Sequence, residues 1–349
     1  MMDDEKNKAP KTIAELGEFG LIDQLTKNIA LSQPSTVYGV GDDAAVVDVG
    51  EKYLLVSKDL LLEGIHFDMM YQPLRHLGYK AIAVNLSDIY AMNGTPTHIL
   101  VGIGISSRYT LEAVEEIYAG MRMACDKFKV DFVGGDTTSS AQGLVLSVTV
   151  LGTVEKDNLV YRGPALANEL LCVSGDLGGA YAGLLILERE KAEFKANPNM
   201  QPDLQGNEYV LERFLKPEPR EDIIQILKEL KIKPTAMIDV SDGLASEIKH
   251  ICKQSDLGCT VYEDKIPIDQ QTYDTARSFN MDPTLYALNG GEDYELLFTI
   301  KQDDYEKIKN IPEITVIGHM TDKNSGINLV TKSGTVVEIK AQGWDHLKK

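Results

Sequence analysis

Residues 235–243 read Thr-Ala-Met-Ile-Asp-Val-Ser-Asp-Gly. A run with strand character ends in a carboxylate. Ser241-Asp242-Gly243 then opens a stretch with helical spacing, where Ser or Asp can cap the amino end. Strand, acidic turn and helix form the unit of α/β proteins, and strand ends are where such proteins build their sites. Working outward, the same grammar recurs in VDFV before GGD at 134–136 and in ELLCV before SGD at 174–176. Further strings stand at 41–43 (GDD) and 290–293 (GGED). A carboxylate supplies hard oxygen for Mg²⁺, while glycine lets the backbone approach a phosphate closely. Any one Gly-Asp is also ordinary turn chemistry. It is their recurrence after strand-like runs that points to a metal-and-phosphate site.

The chain has 349 residues, enough for two domains of ordinary size. Hydrophobic residues make up 43% and charged residues 25%, as in a soluble globular protein. No apolar run approaches the roughly 20 residues of a spanning helix. The start, MMDDEKNKAPK, is polar and acidic without an apolar signal core, so a cytoplasmic location is expected. Cys125, Cys172, Cys252 and Cys259 form no CxxC pair and read as reduced packing residues. A net charge of −18 without a basic stripe argues against a nucleic-acid backbone as partner. The same charge would repel phosphate ligands unless divalent cations stood between.

Periodicity predicts a helix over 16–31, a short strand in STVYGV, and a β-rich stretch at 51–67 with Ser57, Lys58 and Asp59 at its middle. Residues 73–92 have helical spacing around Asn85, Ser87 and Asp88. THILVGIGI is a strand, 110–128 a helix, VDFV a strand ending at Gly134, and LVLSVTVLGTV a strand. Composition turns to loop around Tyr161-Arg162-Gly163-Pro164, which places a boundary there: a first domain over 1–157 and a second over 158–349. The second half reads as strand, glycine-rich turn and helix from ELLCV onward, an exposed insertion at 196–207, and a helix at about 219–231. After TAMIDV and its helix come a strand near 257–262, a helical stretch, GGEDYELLFTI, and short β-like runs separated by KNSG and KSG.

VSGDLGGAYAG lacks the G-x-G-x-x-G spacing of a dinucleotide fingerprint, and no Walker A sequence is present. The order of motifs carries more. GDDAAV, SKDLLLEGIHF, NLSDIYAMNGTP, GGDTT, YRG, IDVSDGL, GGEDYELLF and GWDH follow one another over residues 15–346. This series resembles the thiamine-monophosphate kinase family. Aminoimidazole ribonucleotide synthetase, selenophosphate synthetase and the hydrogenase maturation factor HypE share its Gly-Asp theme. The resemblance implies an α/β (α+β) two-domain fold with mixed sheets and packed helices, like that of aminoimidazole ribonucleotide synthetase. It implies ATP-dependent phosphorylation of thiamine monophosphate to thiamine diphosphate, several Mg²⁺ ions and a homodimer.

By the same resemblance, Asp43, Ser57, Asp59, Asp88, Asp136, Asp239 and Asp242 are metal ligands. Lys58 stands where the family commonly has threonine. An ammonium cannot ligate Mg²⁺, which leaves only its backbone carbonyl. Tyr118, Gly135, Asp136, Arg162 and Ser241 match ATP-contact positions, and His66, Glu292 and Trp344 match positions that hold thiamine phosphate. Taken alone, His66 reads as a strand histidine, Tyr118 as helix core and Trp344 as a tail anchor. Asp42 reads as a turn residue beside Asp43, and Asp176 has little to recommend it as a ligand. A phosphate acceptor is already largely ionised at neutral pH, so no general base is expected. The rival readings are a sister enzyme and a non-catalytic thiamine-phosphate binder. Selenophosphate synthetase would want a reactive Cys or Sec near its start and HypE a C-terminal cysteine, whereas this sequence has none after Cys259.

Overall fold

A computed structural model describes residues 13–340. The first half contains α1 (Ile13–Thr26), β1 (Thr36–Tyr38), β2 (Ala45–Asp48), β3 (Lys52–Leu62), α2 (Leu74–Ala91), β4 (Thr95–Ile105), α3 (Leu111–Phe128), β5 (Asp131–Ser139) and β6 (Val145–Glu155). Its strands form one sheet in the order β1-β2-β3-β6-β4-β5. Only β4 and β5 run parallel, as a connection through a helix requires. β6 alternates strictly, sending Leu146, Val148, Val150 and Val154 into a core shared with α2 and α3. The two helices touch backbone to backbone at glycines. A Cβ on Gly78 would lie 1.9 Å from Ile117 O, and one on Gly120 would lie 1.8 Å from Arg75 O.

The second half contains β7 (Leu170–Ser174), α4 (Gly179–Ala196), α5 (Glu208–Leu215), α6 (Glu221–Glu229), β8 (Ala236–Asp239), α7 (Leu244–Ser255) and β9 (Gly258–Tyr262). There follow α8 (Gln270–Ser278), α9 (Pro283–Asn289), β10 (Leu296–Ile300), α10 (Tyr305–Ile308), β11 (Ile314–Thr321), β12 (Ile327–Val330) and β13 (Val336–Glu338). The second sheet runs β13-β12-β9-β11-β7-β10-β8, with β9 and β12 parallel. One face packs on α7 through Leu171, Val173, Ile248 and Ile251; the other packs on α6 through Cys172, Phe298, Ile223 and Leu227. The architecture is therefore mixed α/β, with two mixed sheets, the first packed on α2 and α3 and the second covered by helices on both faces. No helix among the described residues is long and apolar enough to cross a membrane.

Several expectations need correction. The first helix spans Ile13–Thr26, not 16–31, and is broken at Gly17 (φ 65°, ψ 178°), a conformation glycine adopts cheaply. β5 does not end at Gly134 but pairs with β4 as far as Ser139. Glycine at 135 makes this possible, since a Cβ there would fall 1.8 Å from Val101 O. α7 is capped by Gly243 without a side-chain bond; the Asp242 N–H instead donates to Glu247 Oε1 at 2.8 Å. The helix near 219–231 is α6, and the preceding α5 was not anticipated. His66 lies in the turn after β3, not in a strand. All four cysteines are free and buried.

Candidate active site

Three carboxylates from distant parts of the chain converge. Asp43 precedes β2, Asp88 lies in the last turn of α2, and Asp239 ends β8. Each offers an oxygen within 4.8 Å of the others. Register and helical phase place them. In β3, Ser57 faces Val150 and Asp59 faces Val148 of β6, so both acquire the core face. From α2, Ser57 Oγ meets Asp88 Oδ2 at 2.6 Å, and the Asp59 N–H donates to Asn85 Oδ1 at 3.2 Å. Ser87 Oγ donates to Asp239 Oδ2 at 2.6 Å, tying the first sheet's helix to the second sheet's edge. Arg162 closes the group from the interdomain loop, with Nη2 2.5 Å from Asp43 Oδ1. Its N–H donates to Asp42, which thus serves the turn, as its position implied.

Burial and crowding disturb these acids. Asp239 is pushed up to about 7 by burial and then by the charge of Asp43, although the Ser87 hydroxyl opposes this. Asp59 is raised to about 6 by burial, Glu292 and Asp43. Asp88 is driven well up by burial and its three acidic neighbours, and burial raises Asp43 against the pull of Arg162. A site that holds several anions so close is poised to accept positive charge.

The group lines one cavity, and a second adjoins that cavity. The larger, about 740 Å³, is lined by Asp43, Asp59, Asp88, Asp239, Lys80 and Arg162, among others. The smaller, about 260 Å³, is walled by Tyr71, Phe214, Leu184 and Glu188. Ile65, His66, Ser241, Asp242 and Glu292 line both. His66 Nδ1 accepts the Leu62 N–H at 3.0 Å, which fixes the ring over the junction. The 290–294 segment runs back along the end of β8. Glu292 N–H donates to Ser241 O at 2.7 Å and Tyr294 N–H to Val240 O at 2.9 Å, with Gly291, Glu292 and Tyr294 all at positive φ.

Not every expected residue joins them. Asp136 pairs in register with Gly102, and Gly102 with Ser147, so Asp136 stands on the opposite face of the first sheet from Ser57 and Asp59. Lys58 shares that outer face, its ammonium on Ser147 Oγ, and Asp136 lines a separate groove with Gly135. Tyr118 on α3 packs against Phe132, ring centres 5.8 Å apart. Asp176 is occupied by the Tyr209 hydroxyl. Trp344 lies outside the described residues.

The description "AIR synthase related protein, N-terminal domain" matches residues 41–154, and its C-terminal counterpart matches 167–329. The thiamine-monophosphate kinase of Bacillus subtilis is 32% identical over 340 residues, covering 95% of this chain and all of that protein. This chain belongs to the thiamine-monophosphate kinase family. Among solved structures, AaThiL complexed with AMPPCP and TMP is similar at 30% identity and TM-score 0.81, over 97% of this chain and 100% of that one. The hydrogenase maturation protein HypE, at 18% identity and TM-score 0.66 over 91% of this chain and 96% of that one, shares the fold alone.

Motifs of the thiamine-monophosphate kinase family led to the acids but not to the groups that hold them. Ser87, 1% exposed, and fully buried Asn85 stand in the sequence only as polar residues in an apolar helix. Lys80, 1% exposed and paired with Glu292, belongs to none of those motifs. Its available signal was a lysine in the row 80, 84, 88, one face of α2.

Proposed function

We propose that the chain transfers phosphate from ATP to thiamine monophosphate, giving thiamine diphosphate and ADP, in the cytoplasm and as a homodimer. The observation that carries this reading is the Asp43, Asp88 and Asp239 group opening onto a cavity that adjoins a second, aromatic and acidic one. Likeness to AaThiL complexed with AMPPCP and TMP supports the two ligands. The oxygen-only donor set fits Mg²⁺, and Asp43 Oδ2 is buried with no hydrogen-bond partner. Asp43, Asp88 and Asp239 would hold it, with Ser57, the Lys58 carbonyl, Asp59 and Asp242 as further ligands, whereas Asp136 would ligate an ion in the separate groove on the outer face of the sheet. An ion so held would neutralise phosphate charge.

The chain's own task is then to orient two anions in line. The acceptor phosphate, with a second pKa of about 6, is already mostly deprotonated and needs no base. His66, Glu292 and Trp344 hold the thiamine phosphate, with Glu292 balancing its cationic ring. Arg162 and Ser241 serve ATP from the larger cavity, and Gly135 and Asp136 from the outer-face groove with Tyr118 from α3, a division that takes a second copy of the chain; Arg162 brings fixed positive charge beside Asp43. Domain limits of 1–157 and 158–349 put the metal-binding group across both units. The outer-face position of Asp136 and Lys58 is consistent with a second copy covering that sheet.

Incubation with ATP, Mg²⁺ and thiamine monophosphate, followed by chromatography, should yield thiamine diphosphate. Asp43→Asn and Asp88→Asn should each lower turnover by at least about 10²-fold, the scale of losing a main electrostatic group, while the protein stays folded. Binding without product, or near-normal turnover of the variants at saturating Mg²⁺, would overturn this reading.

A further inference from the structure

Lys80 is a cation in a buried stretch of α2. It lies on α2 among buried Leu77, Ala81, Ile82 and Val84, and is 1% exposed. An ammonium removed from water there costs several kcal/mol unless it is paired. Its partners are specific: it forms an ion pair with Glu292, donates to Phe214 O at 3.2 Å, and sits 4.2 Å from the centre of the Phe214 ring. Phe214 walls the smaller cavity, Lys80 the larger, and Glu292 both. Glu292 is itself held at φ 62°, a conformation a glutamate keeps only when its surroundings impose it. The backbone is fixed by Ser241 O, and the carboxylate is held by the Lys80 ammonium at Oε2, with the Tyr294 hydroxyl donating to Oε1 at the longer distance of 3.4 Å.

We propose that Lys80 is a positioning residue whose ammonium fixes the Glu292 carboxylate at the junction of the two cavities, and so sets the affinity for a cationic ring substrate. It acts through Glu292 and not on the phosphates. This rests on the proposed activity.

The test is a double-mutant cycle over Lys80→Met and Glu292→Gln, in the full-length protein. Lys80→Met should raise KM for thiamine monophosphate about 5- to 10-fold, the cost of re-ordering a long side chain at each binding event, with KM for ATP within about twofold. The double variant should be no worse than Glu292→Gln alone, and Lys80→Arg should recover part of the lost affinity. An unchanged KM for thiamine monophosphate, a parallel rise for ATP, or losses that multiply in the double variant would overturn the assignment. Melting temperatures of the same four proteins give a readout independent of turnover. Glu292→Gln removes the anion from a buried ammonium that keeps Phe214 O and the Phe214 ring, and adding Lys80→Met should restore part of the lost stability. If the wild type makes no thiamine diphosphate, the proposed activity falls, whereas additive melting losses would remove the coupling itself.

Discussion

Asp43 has one carboxylate oxygen on Arg162 and another, buried, on no hydrogen-bond donor among the described residues. With Asp88 and Asp239 it forms a set of like charges that the fold tolerates and does not favour. Removing one charge should therefore relieve the protein. Asp88→Asn keeps an oxygen for the Ser57 hydroxyl, and its melting temperature without divalent metal should equal or exceed that of the wild type while turnover is lost. A fall of several degrees would argue that Asp88 is structural. Asp293 gives a separate pH effect. Burial pushes its carboxyl up to about 7, against the pull of Arg213 and of the Gly178 and Ala180 amides, with Glu295 adding its charge. In the unfolded chain it titrates near 3.9. Between about 4 and about 7 the folded state keeps a proton the unfolded state has released, so this stability is full at the acid end and lost as pH rises. Melting curves in chelator should show a shallower decline over that window for Asp293→Asn. At this scale the acids were legible because Asp beside Gly after a strand is a local pattern. Lys80 was not, because its meaning lies in a residue more than two hundred positions away.

For the elements, period was a good guide where one face is buried. α2, α3, β4 and β6 fall close to their expected limits, as the strict alternation of β6 would lead one to expect. What period could not give was the face on which Asp136 stands. Side chains alternate along a strand, so the face follows from register with β4, and register is a pairing between distant segments. The break at Gly17 and the extension of β5 through two glycines were likewise invisible, since glycine fits turn and strand alike. The contact between α2 and α3 is the element-level feature most open to test. Gly78→Ala places a methyl 1.9 Å from a carbonyl oxygen, so the helices must part. A stability loss of about 1–3 kcal/mol is expected by denaturant titration, with a fall in turnover because α2 carries Asp88. A neutral substitution would show that the pair can slide without disturbing the site.

Across the whole molecule, a charge of −18 acts on every part of the fold. Raising NaCl from about 20 to about 200 mM should raise the melting temperature by screening self-repulsion. At constant ionic strength, Mg²⁺ should add a further rise that Asp239→Asn removes, because a ligand of the native state stabilises it. If the two salts act alike, the acidic group is no metal site. The long-range arrangement has one further consequence. Asp239 ends β8, an edge strand bonded to the sheet only through β10. During synthesis β8 leaves the ribosome well before that partner, while Asp43, before β2, and Asp88, on α2, already belong to a first half whose sheet can form. The third acid takes its place only after residues 296–300 have emerged, and long-range pairing of this kind is slow to form. A chain released earlier has all three aspartates in its sequence but lacks the strand that pairs with β8.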